Sequence, residues 1–227
     1  MMGIKAIEAF KEDLDKVKTP AMKKLAEKVL EKVNDLNVTS PASSSGKYHP
    51  VADLGAGGLV RHSKMVANCV EILIRSIPTY DNDLDWDVMF LSGLLHDMCK
   101  YTEPKSPKET FHTCFKHPTM MADLIREVIP EAIKAEGIED KEILKAWARI
   151  GTNISSHMSR WNTSKYEEGE LPLPTNMEQY IISFADLIAA NKDLPDLMNK
   201  FREEAIADDD IGVENAKPES KPRKKRP

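Results

Sequence analysis

An all-α fold is predicted by three observations. Apolar residues recur at helical spacing in segment after segment, helix-start signals stand immediately before several of these segments, and period-2 alternation appears nowhere. The elements follow in order. Ile4, Ile7, Phe10, Leu14 and Val17 predict a first helix. Thr19-Pro20 reads as an N-cap followed by proline at the first helical position, opening a second helix with Met22, Leu25, Val29, Leu30 and Val33 on one face. Residues 37–46 form a Ser/Pro-rich connection, and the two helices before it are either a separate lobe or a brace on the main core.

A glycine-bearing segment with Gly55, Gly57 and Gly58 then leads through His62 into a long helix whose apolar face is Val66, Cys69, Val70, Leu73 and Ile74. The glycine spacing matches neither a dinucleotide fingerprint nor a phosphate loop, and no strand precedes it, so these glycines permit close backbone approach near His62. Asp81 to Asp85 offers caps for the central helix. That helix is apolar almost all round, from Trp86 through Leu95, and ends in His96-Asp97 with Lys100 one turn on. His117-Pro118 starts a helix after a polar loop. Asp140 caps another that carries Ile143, Leu144, Trp147, Ile150 and Ile154 and ends at His157. Residues 158–175 are loop-like, a helix from about Asn176 carries Asp186 within its length, and Leu194, Leu197, Met198 and Phe201 mark a last amphipathic helix. From Asp208 onward nothing is available to bury, which predicts a disordered tail.

The 227 residues are enough for one sizeable core. No apolar run approaches a membrane span, and the N-terminus lacks the apolar stretch of a signal peptide, so the expectation is a cytoplasmic protein without membrane contact. Cys69, Cys99 and Cys114 are too few, and odd in number, for a disulfide framework. Net charge is −5, yet residues 217–227 hold six basic residues against one Glu, which leaves −10 on the rest. An acidic body is a poor general scaffold for duplex nucleic acid. The basic tail is either solvated or a contact for nucleic acid. A homo-oligomer is compatible with the sequence.

A buried imidazole beside a carboxylate must be satisfied, and His96-Asp97 allows two readings: a hydrogen-bonded core pair, or two ligands of a bound cation. Taken singly, each of the other polar residues near helix ends is more readily structural. Together, His62, His96-Asp97, His117, His157 and Asp186 on successive helices form a set that bundles use to build metal sites. His112-x-Cys114-x-x-His117 invites a zinc reading, set aside because no second ligand pair at structural-zinc spacing follows.

That order of residues, with Gly-Leu-Leu-His96-Asp97-x-x-Lys100 at its centre and Ala-Asp186 in a late apolar helix, resembles the HD-domain superfamily of metal-dependent phosphohydrolases. Tyr48-His49-Pro and Gly57-Gly-Leu-Val-Arg-His62-Ser look most like the branch containing bacterial 3′-to-5′ exoribonucleases with an HD domain. The resemblance implies N-terminal helices and connection over 1–46, an HD domain over 47–206 and the tail over 207–227. It further implies a first metal held by His62, His96, Asp97 and Asp186, with Asp97 bridging to a second held by His117 and His157. Imidazoles with carboxylates suit Mn²⁺ or Fe²⁺, with Mg²⁺, Ni²⁺ or Co²⁺ as alternatives.

Lys100 is a candidate catalytic and phosphate-contacting residue, and Arg160 and Lys165 are candidate phosphate clamps. Trp161 is a base-stacking or a packing residue, and His49 a site-edge or a plain loop histidine. The implied reaction is hydrolysis of a phosphate ester or anhydride in a nucleotide by metal-activated water. The alternatives are a 3′-to-5′ exonuclease on single-stranded RNA or DNA, and a non-catalytic nucleotide-binding protein.

Overall fold

The computed structural model describes residues 5–43, 46, 49–75, 77–102 and 113–192. Among them are nine α-helices and no strand, only two isolated bridges, Tyr101–Thr113 and Thr163–Glu170. None of these helices is long and apolar enough to cross a membrane. The predicted helix over Leu194 to Phe201, the tail beyond Asp208 and His112 lie outside the described residues.

The predicted first helix is two short pieces, α1 (Ala6–Ala9) and α2 (Lys11–Leu14), broken at Phe10. Helix α3 (Pro20–Leu30) starts at Thr19 with proline in its first turn, although the Thr19 side chain makes no cap hydrogen bond. The connection read as loop contains a short helix, α4 (Asp35–Thr39), whose N-cap Asn34 accepts from Leu36 N–H. Asn37 in α4 is buried and pairs with both backbone groups of Tyr101, donating to its carbonyl at 3.0 Å and accepting from its N–H at 2.7 Å. A single polar side chain thus ties this connection to the chain just beyond Lys100.

Helix α5 (Gly58–Ile74) follows a 3₁₀ turn at Val51–Asp53. Helix α6 (Asp83–Leu95) is capped by Asn82 and ends at His96. Helices α7 (His117–Glu136), α8 (Lys141–Ser155) and α9 (Met177–Ala189) complete the bundle, with Asp140 and Asn176 accepting first-turn N–H groups of α8 and α9. One apolar cluster joins Phe10, Met22 and Leu25 to Phe90, Leu91, Met121, Trp147 and Ile150, so the N-terminal helices share a core with α6, α7 and α8. A second, of Val66, Val70, Met89, Ile181, Ile182 and Ala185, packs α5, α6 and α9 together. Helix α6 belongs to both clusters, which is why it is buried all round.

Two glycines set the spacing around this axis. A Cβ on Gly93 would lie 3.1 Å from Ala67 Cα and from Val70 Cγ2, so its absence lets α5 and α6 close up one turn before His96. A Cβ on Gly58 would lie 1.9 Å from the Asp53 carbonyl, so only glycine admits the 3₁₀ turn against the start of α5.

Candidate metal centre

Helix ends deliver most of the site. His96 and Asp97 follow the last residue of α6, His117 is the first residue of α7, and His157 lies just past α8. His62 and Asp186 project from within α5 and α9. All six come together. His62 Nε2 lies 3.0 Å from Asp186 Oδ1 and 3.8 Å from Asp97 Oδ2; His96 Nε2 is 3.4 Å from the same Asp97 oxygen and 3.7 Å from Asp186 Oδ1. The other Asp97 oxygen, Oδ1, faces His117 Nε2 at 2.9 Å and His157 Nε2 at 3.6 Å. Asp97 therefore turns one oxygen to each of two imidazole pairs. The four imidazoles and Asp97 are buried, while Asp186 is partly exposed.

The protons show which ring nitrogens face inward. Nδ1 of His96, His117 and His157 lies 2.7–2.8 Å from the carbonyl three residues earlier, on Gly93, Cys114 and Ile154. A carbonyl only accepts, so each Nδ1 carries a hydrogen, and each ring in its neutral form points a bare Nε2 lone pair inward. His117 and His157 oppose these lone pairs at 3.3 Å. Among the described residues, His96 Nε2 and Asp97 Oδ1 have no hydrogen-bond partner although both are buried. Such groups are costly to leave unmet, and a cation between them satisfies lone pair and carboxylate together. Two sets, His62 with His96 and Asp186, and His96 with Asp97 and His157, present nitrogen and oxygen atoms close enough to share one ion. The donor set fits first-row divalent ions.

A proton competes with a cation for these same Nε2 atoms, and the electrostatics show where protons and charge are held without an ion. Burial by itself would raise Asp97, but Lys100, His96 and His117 hold its carboxyl well below the usual range. Burial likewise opposes ionisation of Asp186, and His62, His96 and His157 overcome it. Burial lowers His117, and the Asp97 carboxylate only partly offsets this, whereas at His96 the same burial is outweighed by Asp97 and Asp186 and the net shift is upward. Lys100 Nζ sits 2.5 Å from Asp97 Oδ2, on the face of the helix end expected from the sequence.

His49 also reaches the cluster. Its ring stands edge-on to His62 with centroids 4.7 Å apart, and burial, with His62 and Lys100, pulls it down to about 4. Arg160, Trp161 and Lys165 do not join the cluster; all three are exposed, and the Arg160 guanidinium lies over the Trp161 ring at 4.3 Å. They belong to a loop that starts just after His157 and is tied to the start of α7 by Phe115 N–H donating to Glu167 at 2.9 Å. Ser159 opens that loop with φ 47°, a backbone conformation unusual for a residue with a side chain. A groove of about 400 Å³ between α3 and α7, lined by residues such as Lys28, Leu124 and Glu131, includes no member of the cluster.

Sequence reasoning missed Asp53, buried on the 3₁₀ turn with Oδ2 4.0 Å from His62 Nδ1. It also missed Asp87, buried within α6, which accepts from Lys18 N–H and Thr19 N–H at 2.8 Å each. Neither has a motif around it, because each takes its meaning from a partner distant in sequence.

The HD domain family model matches residues 59–191, more than half of the chain. The 3′-5′ exoribonuclease YhaM of Halalkalibacterium halodurans is 24% identical over 190 residues, which are 84% of this chain and 54% of that protein; the chain thus spans about half the length of this relative. No solved structure matches the chain.

Proposed function

The chain belongs to the HD-domain family, whose members are hydrolases of the metal-dependent phosphohydrolase kind, and from that premise we propose that it cleaves a phosphate ester or anhydride bond of a nucleotide. The observation that carries the reading is Asp97, whose two oxygens address separate imidazole pairs while one of them lacks any hydrogen bond. In this reading His62, His96, Asp97 and Asp186 hold one divalent ion, and Asp97, His117 and His157 hold a second. Such ions, when bound, supply Lewis-acid activation of water and neutralise charge that develops at phosphorus.

The rest of the work falls to the chain. Backbone carbonyls of Gly93, Cys114 and Ile154 fix three rings in the tautomer that presents Nε2. Lys100 keeps Asp97 ionised and carries an ammonium to the place where a phosphate enters. His49, neutral at ordinary pH, lines the same edge. The exposed Arg160, Trp161 and Lys165 offer a fork, a flat apolar face and a point charge to phosphate and base.

The second reading, 3′-to-5′ exonuclease on single-stranded RNA or DNA, is favoured by the named activity of the 24% identical relative. One experiment separates the two: turnover of mononucleotides, dinucleoside polyphosphates and a 5′-labelled oligonucleotide by the full chain with Mn²⁺. Hydrolysis of the small nucleotides supports the first reading. Stepwise shortening of the oligonucleotide alone, lost at high salt and on removal of residues 217–227, replaces it with the second. No turnover of either class by metal-loaded protein contradicts both.

A further inference from the structure

Three of the four imidazoles share a device that the fourth lacks. His96, His117 and His157 stand at helix ends, where the carbonyl three residues back accepts the Nδ1 hydrogen. His62 is the fifth residue of α5, where carbonyls of the preceding turn serve the helix's own N–H groups. Its Nδ1 is buried and has no hydrogen-bond partner among the described residues. The acceptor that faces it is Asp53 Oδ2, 4.0 Å away.

The local chain is built to keep Asp53 there. Arg61, the residue immediately before His62, folds back over the turn and donates to three carbonyls: Ala52 at 2.8 Å, Ala56 at 3.0 Å and Leu54 at 3.4 Å. Gly58 removes the Cβ that would strike the Asp53 carbonyl, and Ala42 N–H donates to that carbonyl at 3.0 Å. The turn is thereby clamped from both sides, with the Asp53 side chain buried beside the His62 ring. His49 touches the same ring, but through an edge-on contact between ring centroids.

We infer that Asp53 is a positioning residue for the metal centre: when an ion takes over the Nε2 contact that His62 now makes to Asp186 at 3.0 Å, the Asp53 carboxylate closes from 4.0 Å to accept the Nδ1 hydrogen, fixing the tautomer that turns the Nε2 lone pair toward Asp186 and Asp97. The inference rests on the reading of His62 as a ligand. It gives His62 by a side chain what the other three rings receive from the backbone, a partner behind the ring that sets its orientation and raises its basicity.

The test uses the full chain loaded with Zn²⁺, which is diamagnetic, with ¹⁵N-histidine labelling to observe the His62 Nδ1–H resonance, alongside Mn²⁺ titration of the metal-free chain. Asp53→Ala is expected to move or abolish that resonance and to weaken one ion-binding step about 10–100-fold, leaving the other step within twofold. Asp53→Asn, whose side-chain carbonyl still accepts, should recover most of the affinity. Should Asp53→Ala fail to fold, the Asp53→Asn protein carries the test through an upfield shift of the resonance, and an unchanged resonance there overturns the inference. Wild-type affinity and resonance in Asp53→Ala overturn it, and so does equal weakening of both steps. His62→Ala is the control for the underlying reading. If it binds ions normally, the ligand assignment is wrong; if it loses an ion while Asp53→Ala does not, only the role given to Asp53 is wrong.

Discussion

Helix α6 has a buried carboxylate toward each end, Asp87 inside it and Asp97 just past it, and the two are served in opposite ways. Asp87 receives Lys18 N–H and Thr19 N–H, one on each oxygen, so the chain itself completes it. Asp97 is surrounded by inward-facing Nε2 atoms and Lys100, and its Oδ1 has no hydrogen bond. The difference is visible without reference to any motif: a buried charge saturated by backbone is a strut, and one facing several lone pairs could share a cation with them.

The largest expected effect breaks the comparison at its functional end. Asp97→Ala should abolish both metal content and phosphohydrolase turnover, because among the described residues no other carboxylate faces both imidazole pairs; retention of full activity would remove the two-ion reading. Next comes His117→Ala, which should leave one ion per chain where the wild type binds two. Unchanged turnover in that variant would show that the second ion is not needed.

At the structural end, Asp87→Ala should cost about 2–4 kcal/mol of folding stability, the loss of two hydrogen bonds to a charged acceptor, while metal stoichiometry stays as in the wild type. Denaturant unfolding and metal analysis of the same sample read both. Loss of metal at unchanged stability would reverse the roles given to the two residues. The smallest effect is a pH dependence. Burial raises Asp87 above the ordinary carboxylate value even though Thr19 and Lys18 pull it back, so the folded chain holds this proton more tightly than the unfolded one. Stability from this group is therefore lost as pH rises from about 4 through its folded value. Asp87→Asn should gain on the wild type in thermal midpoint across that window, and parallel curves would contradict the assignment.

The helices were largely legible because α3, α5 and α7 to α9 carry their apolar residues on periodic faces, α6 is apolar nearly all round, and all but α5 open with a start signal, Thr19, Asn82, Pro118, Asp140 or Asn176. The cluster was legible for a different reason. His96-Asp97, His117 and His157 stand where helices stop or start, positions visible from caps and prolines, and their residue types are rarely buried without a partner. What could not be read depends on long-range pairing. The break at Phe10 and the α4 turn lie in a segment whose partners are distant in sequence, α4 packing against α5, and Asn37 finds Tyr101 across 64 residues. Asp87 is the last of four alternating acids from Asp81 and Asp53 stands alone, and the partners of both become known only when α5, α6 and the N-terminal segment are brought together.

The most direct test of the central claim is the divalent-ion content of the purified full chain after equilibration with Mn²⁺ and removal of excess, measured beside Asp97→Ala. Two ions per wild-type chain and none in the variant are the predicted result; a wild-type chain that binds none, or a variant that keeps both, would contradict it.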